Sequence, residues 1–136
     1  MAENILRYLA GKRGVSISTD SGGVNAVVGS DMSHLAKRVL EELNIPIKKH
    51  YAKDVTPTLV ESSDLILTME QWHKEYLLSI YPENTHKIHT LIKYVQGIDR
   101  DVPDPYGKRI EYYRYVRDIL LKNIELLLDK LAHRRV

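Results

Sequence analysis

The sequence predicts an α/β fold: a parallel sheet with helices on both faces. Along the chain, apolar residues alternate between helical spacing of three to four and the shorter period of strands. "DLILTM" (64–69) runs Leu65, Ile66 and Leu67 together without polar interruption, the pattern of a strand buried on both faces in the middle of a sheet. At 136 residues, 43% hydrophobic and 28% charged, the chain has the length of one domain able to bury a real core.

The elements follow in order. Ile5, Leu6 and Leu9 share one helical face of "MAENILRYLAGKRG", and Gly11 and Gly14 can end that helix in left-handed backbone. "VSIST" sets Val15, Ile17 and Thr19 on one side of a short strand, closed by the loop Asp20 to Gly23. From Asp31, the set Leu35, Val39, Leu40 and Leu43 predicts an amphipathic helix that stops before "NIP". Thr56-Pro57 carries the cap and first-turn chemistry of another short helix. After the central strand come a helix over about 70–80, a weaker strand around 88–91 and a proline-rich loop. A long closing helix then carries Ile110, Val116, Leu120, Ile124, Leu127 and Leu131.

Composition excludes several function classes. The formal charge is +2, and lysines and arginines are interspersed with acids, so no nucleic-acid surface is indicated. With no cysteine among the 136 residues, they contain no disulfide, thiolate metal site or thiol nucleophile. No apolar run approaches the roughly 20 residues that span a bilayer, so no membrane partner is expected and a cytoplasmic location is the default. The six histidines lack carboxylates at metal-ligand spacing, so neither a metal nor another cofactor is expected.

"DVPDPYG" (101–107) is the most informative stretch. The residue before a proline is disfavoured in helical backbone, so Asp101, Asp104 and their neighbours lie in turn or extended conformation and project outward. Such a loop can present an acid, although Asp-Pro is also ordinary turn chemistry. Alone, Ser21 reads as a turn residue and His50 as a surface or structural histidine. Tyr106, Tyr112, Tyr113 and Tyr115 cluster near the closing helix, where they read as amphipathic packing or as a regulatory phosphorylation site.

"MAENILR", "DSGG", "LEELNIPIKKHYAKDV", "SSDLILTMEQWHKEYL" and "DVPDPYG" occur in an order that resembles the low-molecular-weight protein tyrosine phosphatase family, nearly end to end. The resemblance implies a four-stranded parallel sheet and a phosphate loop of cysteine, five residues, arginine and serine or threonine, directly ahead of Met-Ala-Glu. Since the sequence opens at Met1-Ala2-Glu3, the expectation is a single domain over 1–136 whose first strand and phosphate loop are missing, leaving three strands. Asp104 matches the family's general acid, which protonates the leaving oxygen and then activates water against a phosphocysteine intermediate. Tyr106 matches the aromatic wall of the substrate cleft, and Ser21 and His50 match residues that support the phosphate loop.

Three functional readings follow. The first is a phosphatase whose 136 residues, lacking the nucleophile, are inactive as they stand. The second is a non-catalytic binding or regulatory relative. The third, an arsenate-reductase type, is weakest because that chemistry needs additional cysteines. The implied partner is a phosphorylated protein or a small phosphomonoester, and the style of the sequence, nearer to bacterial members, keeps phosphoarginine beside phosphotyrosine. The gap left by the first strand is also expected to favour self-association or closure of the flanking strands.

Overall fold

A computed structural model describes residues 1–22, 32–48 and 54–134. The chain divides into two compact units, one formed by Met1–Asp54 with Asp104–Val136 and the other by Val55–Pro103.

The described part of the first unit holds three helices joined by irregular segments, with a single bridge residue at Asp54. Helix α1 (Ala2–Lys12) buries Asn4, Ile5, Leu9 and Ala10 along one side, while Leu6 is only half-buried. Its end is a Schellman motif: Val15 N–H donates to Ala10 O at 2.9 Å and Gly14 N–H to Gly11 O at 3.2 Å. Gly14 takes φ +67°, whereas Gly11 is still inside the helix. Helix α2 (His34–Glu41) starts later than the apolar pattern from Asp31 predicts, because Ser33 is its cap and accepts from Ala36 N–H at 3.2 Å. Its exit repeats the Schellman bonds, with Asn44 at φ 56° and Ile45 N–H donating to Leu40 O at 3.0 Å.

Helix α6 is the last of the chain (Ile110–Arg134), and both α1 and α2 pack on it. Tyr113, Val116, Leu120, Ile124, Leu127 and Leu128 are buried along its length at helical spacing. Ile110 and Leu131, expected on that stripe, are half-buried at its ends. Tyr113 joins Ala36 and Val39 in one cluster, flanked by Met1, Met32, Leu35 and Ile110.

The second unit contains the sheet. Helix α3 (Pro57–Ser62) begins as the sequence predicts, with Thr56 Oγ1 accepting from Leu59 N–H at 3.2 Å and proline in the first turn. Strand β1 (Ile66–Thr68) leads into helix α4 (Gln71–Ile80), then a 3-10 segment (Pro82–Lys87), strand β2 (Ile88–Thr90) and helix α5 (Leu91–Gln96), which ends at Gly97. The strands are parallel, with Ile66 opposite Ile88 and Thr68 opposite Thr90. α4 packs against both strands and α5 against β2, and Val60, Leu77, Ile88, Leu91, Ile92 and Val102 form the buried interior.

Two sequence expectations about the sheet need correction. Among the described residues the sheet has two strands, not three: residues 15–19 form no strand ladder. Val15, Ile17 and Thr19 are half-buried between exposed Ser16, Ser18 and Asp20, so the alternation is present. Alternation is a property of one chain, however, whereas a strand requires a second backbone to bond. "DLILTM" likewise is not buried on both faces: Ile66 and Leu67 are half-buried and only Thr68 is buried. Among the described residues β1 has one partner strand, so there it is an edge rather than the middle of the sheet.

Candidate active site

The loop carrying Asp104 is built by short-range rules. Val102, which precedes it, is buried, and its N–H donates to Met69 O at 2.8 Å. Pro103 and Pro105 fix φ on either side of Asp104. Asp104 Oδ1 then accepts from Tyr106 N–H at 3.0 Å, an Asx turn in which the side chain imitates a backbone carbonyl. One step further, Lys108 N–H donates to Pro105 O at 2.9 Å, closing a tight turn. Gly107, the third residue of that turn, has φ +79°, the left-handed value a type II turn requires there.

These constraints decide what the loop shows to solvent. Asp104 is exposed, and Tyr106, at the turn's outer corner, is 83% exposed. One carboxylate oxygen of Asp104 is held by Tyr106 N–H, while Oδ2 has no hydrogen bond among the described residues. A carboxyl group held by one oxygen and open at the other is oriented for proton transfer to a group arriving from solvent.

Asp101, the other acid of the loop, has a different task that its local sequence does not reveal. Its Oδ1 accepts from Gln71 N–H at 2.9 Å, thirty residues away in sequence. Gln71 is the first residue of α4, and the cap residue Glu70 makes no side-chain bond to the helix end. Asp101 therefore satisfies an N–H that the helix itself leaves open, with its negative charge at the favourable end of the helix dipole. The two aspartates divide their roles, Asp101 capping a helix and Asp104 facing solvent.

The Asp104–Tyr106 bond joins two of the four residues that the sequence singles out. Ser21 is half-buried, and its N–H donates to the side chain of its neighbour, Asp20 Oδ1, at 2.9 Å. His50 lies outside the described residues. Among the described residues, no group of three or more histidine, cysteine, aspartate or glutamate side chains could hold a metal ion, and no helix is long and apolar enough to cross a membrane.

A charged network in the helical unit also escapes sequence reasoning. Glu42 accepts from Arg114 Nη2 at 2.7 Å and Nε at 3.0 Å, and from Arg117 Nη1 at 3.0 Å. Arg117 is buried on α6, and its Nη1 also donates to Val39 O at 2.9 Å. The Arg114 guanidinium, with help from Arg117, holds the Glu42 carboxyl down from the usual 4.5 to about 2. The position of Arg117 four residues after Tyr113 and three before Leu120 marks it for burial; its partner Glu42 has no signal in the sequence.

Residues 1–136 match the family described as low molecular weight phosphotyrosine protein phosphatase. The protein-arginine-phosphatase of Bacillus subtilis is 34% identical over 132 residues, covering 97% of this chain and 85% of that relative. The low molecular weight protein-tyrosine-phosphatase PtpB of Staphylococcus haemolyticus is 36% identical over 121 residues, 86% of this chain and 82% of its own length. Among solved structures, the YwlE arginine phosphatase from Geobacillus stearothermophilus superposes with a TM-score of 0.91 at 33% identity, over 98% of this chain and 84% of that one. The likeness extends over the α/β fold and nearly the whole sequence: this chain belongs to the low molecular weight phosphotyrosine protein phosphatase family.

Proposed function

We propose that this chain supplies the acid–base side of a protein phosphatase site, with Asp104 as the general acid and base, Tyr106 as a wall of the substrate cleft, and Ser21 and His50 as supports of a phosphate loop. The observation that carries the proposal is the Asx turn that exposes Asp104 while leaving Oδ2 uncommitted, in a member of a phosphatase family. In the first step a cysteine thiolate supplied from outside these residues would attack phosphorus and form the S–P bond, while the protonated carboxyl gives its proton to the leaving atom as the bond from that atom to phosphorus breaks. In the second, the carboxylate takes a proton from water as the water oxygen attacks phosphorus and the cysteine thiolate departs. The proposed substrate is a phosphorylated protein side chain, since the relatives are named for arginine and tyrosine phosphatase activity.

The 136 residues contain no cysteine, so the thiolate that would attack phosphorus is not among them. An acid and a cleft cannot replace a nucleophile and an anion cradle. These residues alone should therefore hydrolyse para-nitrophenyl phosphate no faster than buffer. Turnover that disappears in Asp104→Ala would overturn this reading.

A second reading of the same residues is a non-catalytic relative that binds phosphorylated proteins through the exposed Asp104–Tyr106 loop. Binding of a phosphotyrosine or phosphoarginine peptide without turnover supports it, and the absence of any binding removes it. Two further parts of the proposal are a cytoplasmic location and self-association through the open edge of β1, which is paired on one side only among the described residues. Recovery of the chain in a membrane pellet would contradict the first, and a sedimentation coefficient that stays monomeric at high concentration the second.

A further inference from the structure

In the unit Val55–Pro103, a groove of about 480 Å³ opens at the carboxyl end of β2, beside the first turns of α4 and α5. Its charges are unevenly committed. Asp101 is bonded to Gln71 N–H, and Asp99 lies 3.3 Å from Lys93 Nζ. Lys74 and Arg100 line the same groove, and the side chain of neither has a hydrogen bond or ion pair among the described residues. Lys74 is half-buried along its length, with its ammonium left without a partner among the described residues. Thr90 is 4% exposed and also lines the groove, and its hydroxyl takes part in no hydrogen bond among the described residues. The Thr90 hydroxyl and the Lys74 and Arg100 cations, none with a side-chain partner among the described residues, are the groups of this groove that a ligand can engage.

We propose that this groove binds an acidic peptide segment, with carboxylates paired to Lys74 and Arg100 and Thr90 contributing a hydrogen bond. Charge complementarity selects the ligand: both acids of the groove are engaged, and the uncommitted groups are cations or neutral. A peptide fits better than a compact phosphate dianion, because Asp99 and Asp101 repel a concentrated double charge, whereas a peptide spreads single charges along an open groove. The proposal is independent of the chemistry at Asp104, so it stands or fails without reference to phosphatase activity.

The test is titration of the whole chain with acetylated, amidated hexaglutamate at low salt, followed by amide chemical shifts and calorimetry. Hexaglutamate should bind with shifts at residues 74, 90 and 100. Lys74→Gln with Arg100→Gln should weaken it about fivefold or more, the size expected for two exposed ion pairs. Asp99→Asn, which frees Lys93, should tighten it. Since neither Lys74 nor Arg100 holds another side chain, the double variant should melt at the wild-type temperature; a lower melting temperature would show that both serve folding instead and would count against the site. No binding, affinity unchanged in the double variant, or equal binding of hexalysine would overturn the proposal. So would inorganic phosphate that displaces the peptide at equal concentration, which would make the groove a site for small anions.

Discussion

Asp104 and Asp101 lie three residues apart and are held by quite different bonds, one to the next turn of its own loop and one to a helix thirty residues away. Substituting them should therefore have separate effects. Asp101→Ala removes a cap and should cost about 1 kcal/mol of stability, read from denaturant unfolding. Asp104→Ala, which among the described residues loses one side-chain hydrogen bond, to Tyr106 N–H, should leave stability within about 0.5 kcal/mol of wild type. Equal losses would mean that Asp104 is structural. The sequence shows that this loop presents acids, because proline geometry is local. It does not separate the two jobs, because Gln71 is reached only through the fold. Glu42 gives the third residue-scale prediction. Its folded pKa, about 2, lies below the ordinary 4.5, so its contribution to stability is complete above about pH 4.5 and is lost as pH falls towards 2. Glu42→Gln should flatten the dependence of melting temperature on pH within that window; a variant with the wild-type slope would place the acid sensitivity elsewhere.

Elements whose ends are marked locally were legible, and those defined by partners were not. Thr56-Pro57 announces α3, and the glycine of "GKRG" that ends α1 takes the expected left-handed angle at Gly14. An added Cβ at Gly14 would meet nothing within 4 Å, so the cost of Gly14→Ala is purely conformational, about 1 kcal/mol, measured by thermal or chemical unfolding. No measurable loss would mean that the Schellman turn relaxes without penalty. The apolar period from Asp31 predicts an earlier start for α2 than Ser33 gives it, because a helix begins where an N–H finds its acceptor. β1 is shorter and less deeply buried than its apolar run predicts, since the extent of a strand depends on pairing that one segment cannot specify. In α6 the buried stripe was legible from spacing, and Leu120→Ala, which opens a cavity in it, should cost about 2–5 kcal/mol.

At the scale of the whole molecule, the fold and family follow from the ordered run of segments that ends in Asp-Pro-Tyr, and the full-length family match agrees with that order. The chemistry divides less evenly. An exposed, oriented acid is present, and cysteine is absent from the 136 residues. The central claim is that Asp104 remains competent as the acid of a thiolate-dependent phosphatase. It is tested most directly by joining a strand and a loop of cysteine, five residues, arginine and serine ahead of Met1, and comparing kcat for para-nitrophenyl phosphate with and without Asp104→Ala. The fused protein should turn over, and the variant should be slower by roughly 10²- to 10⁴-fold, the size of a general acid–base contribution. A fused protein that hydrolyses the substrate equally fast without Asp104 would contradict the account.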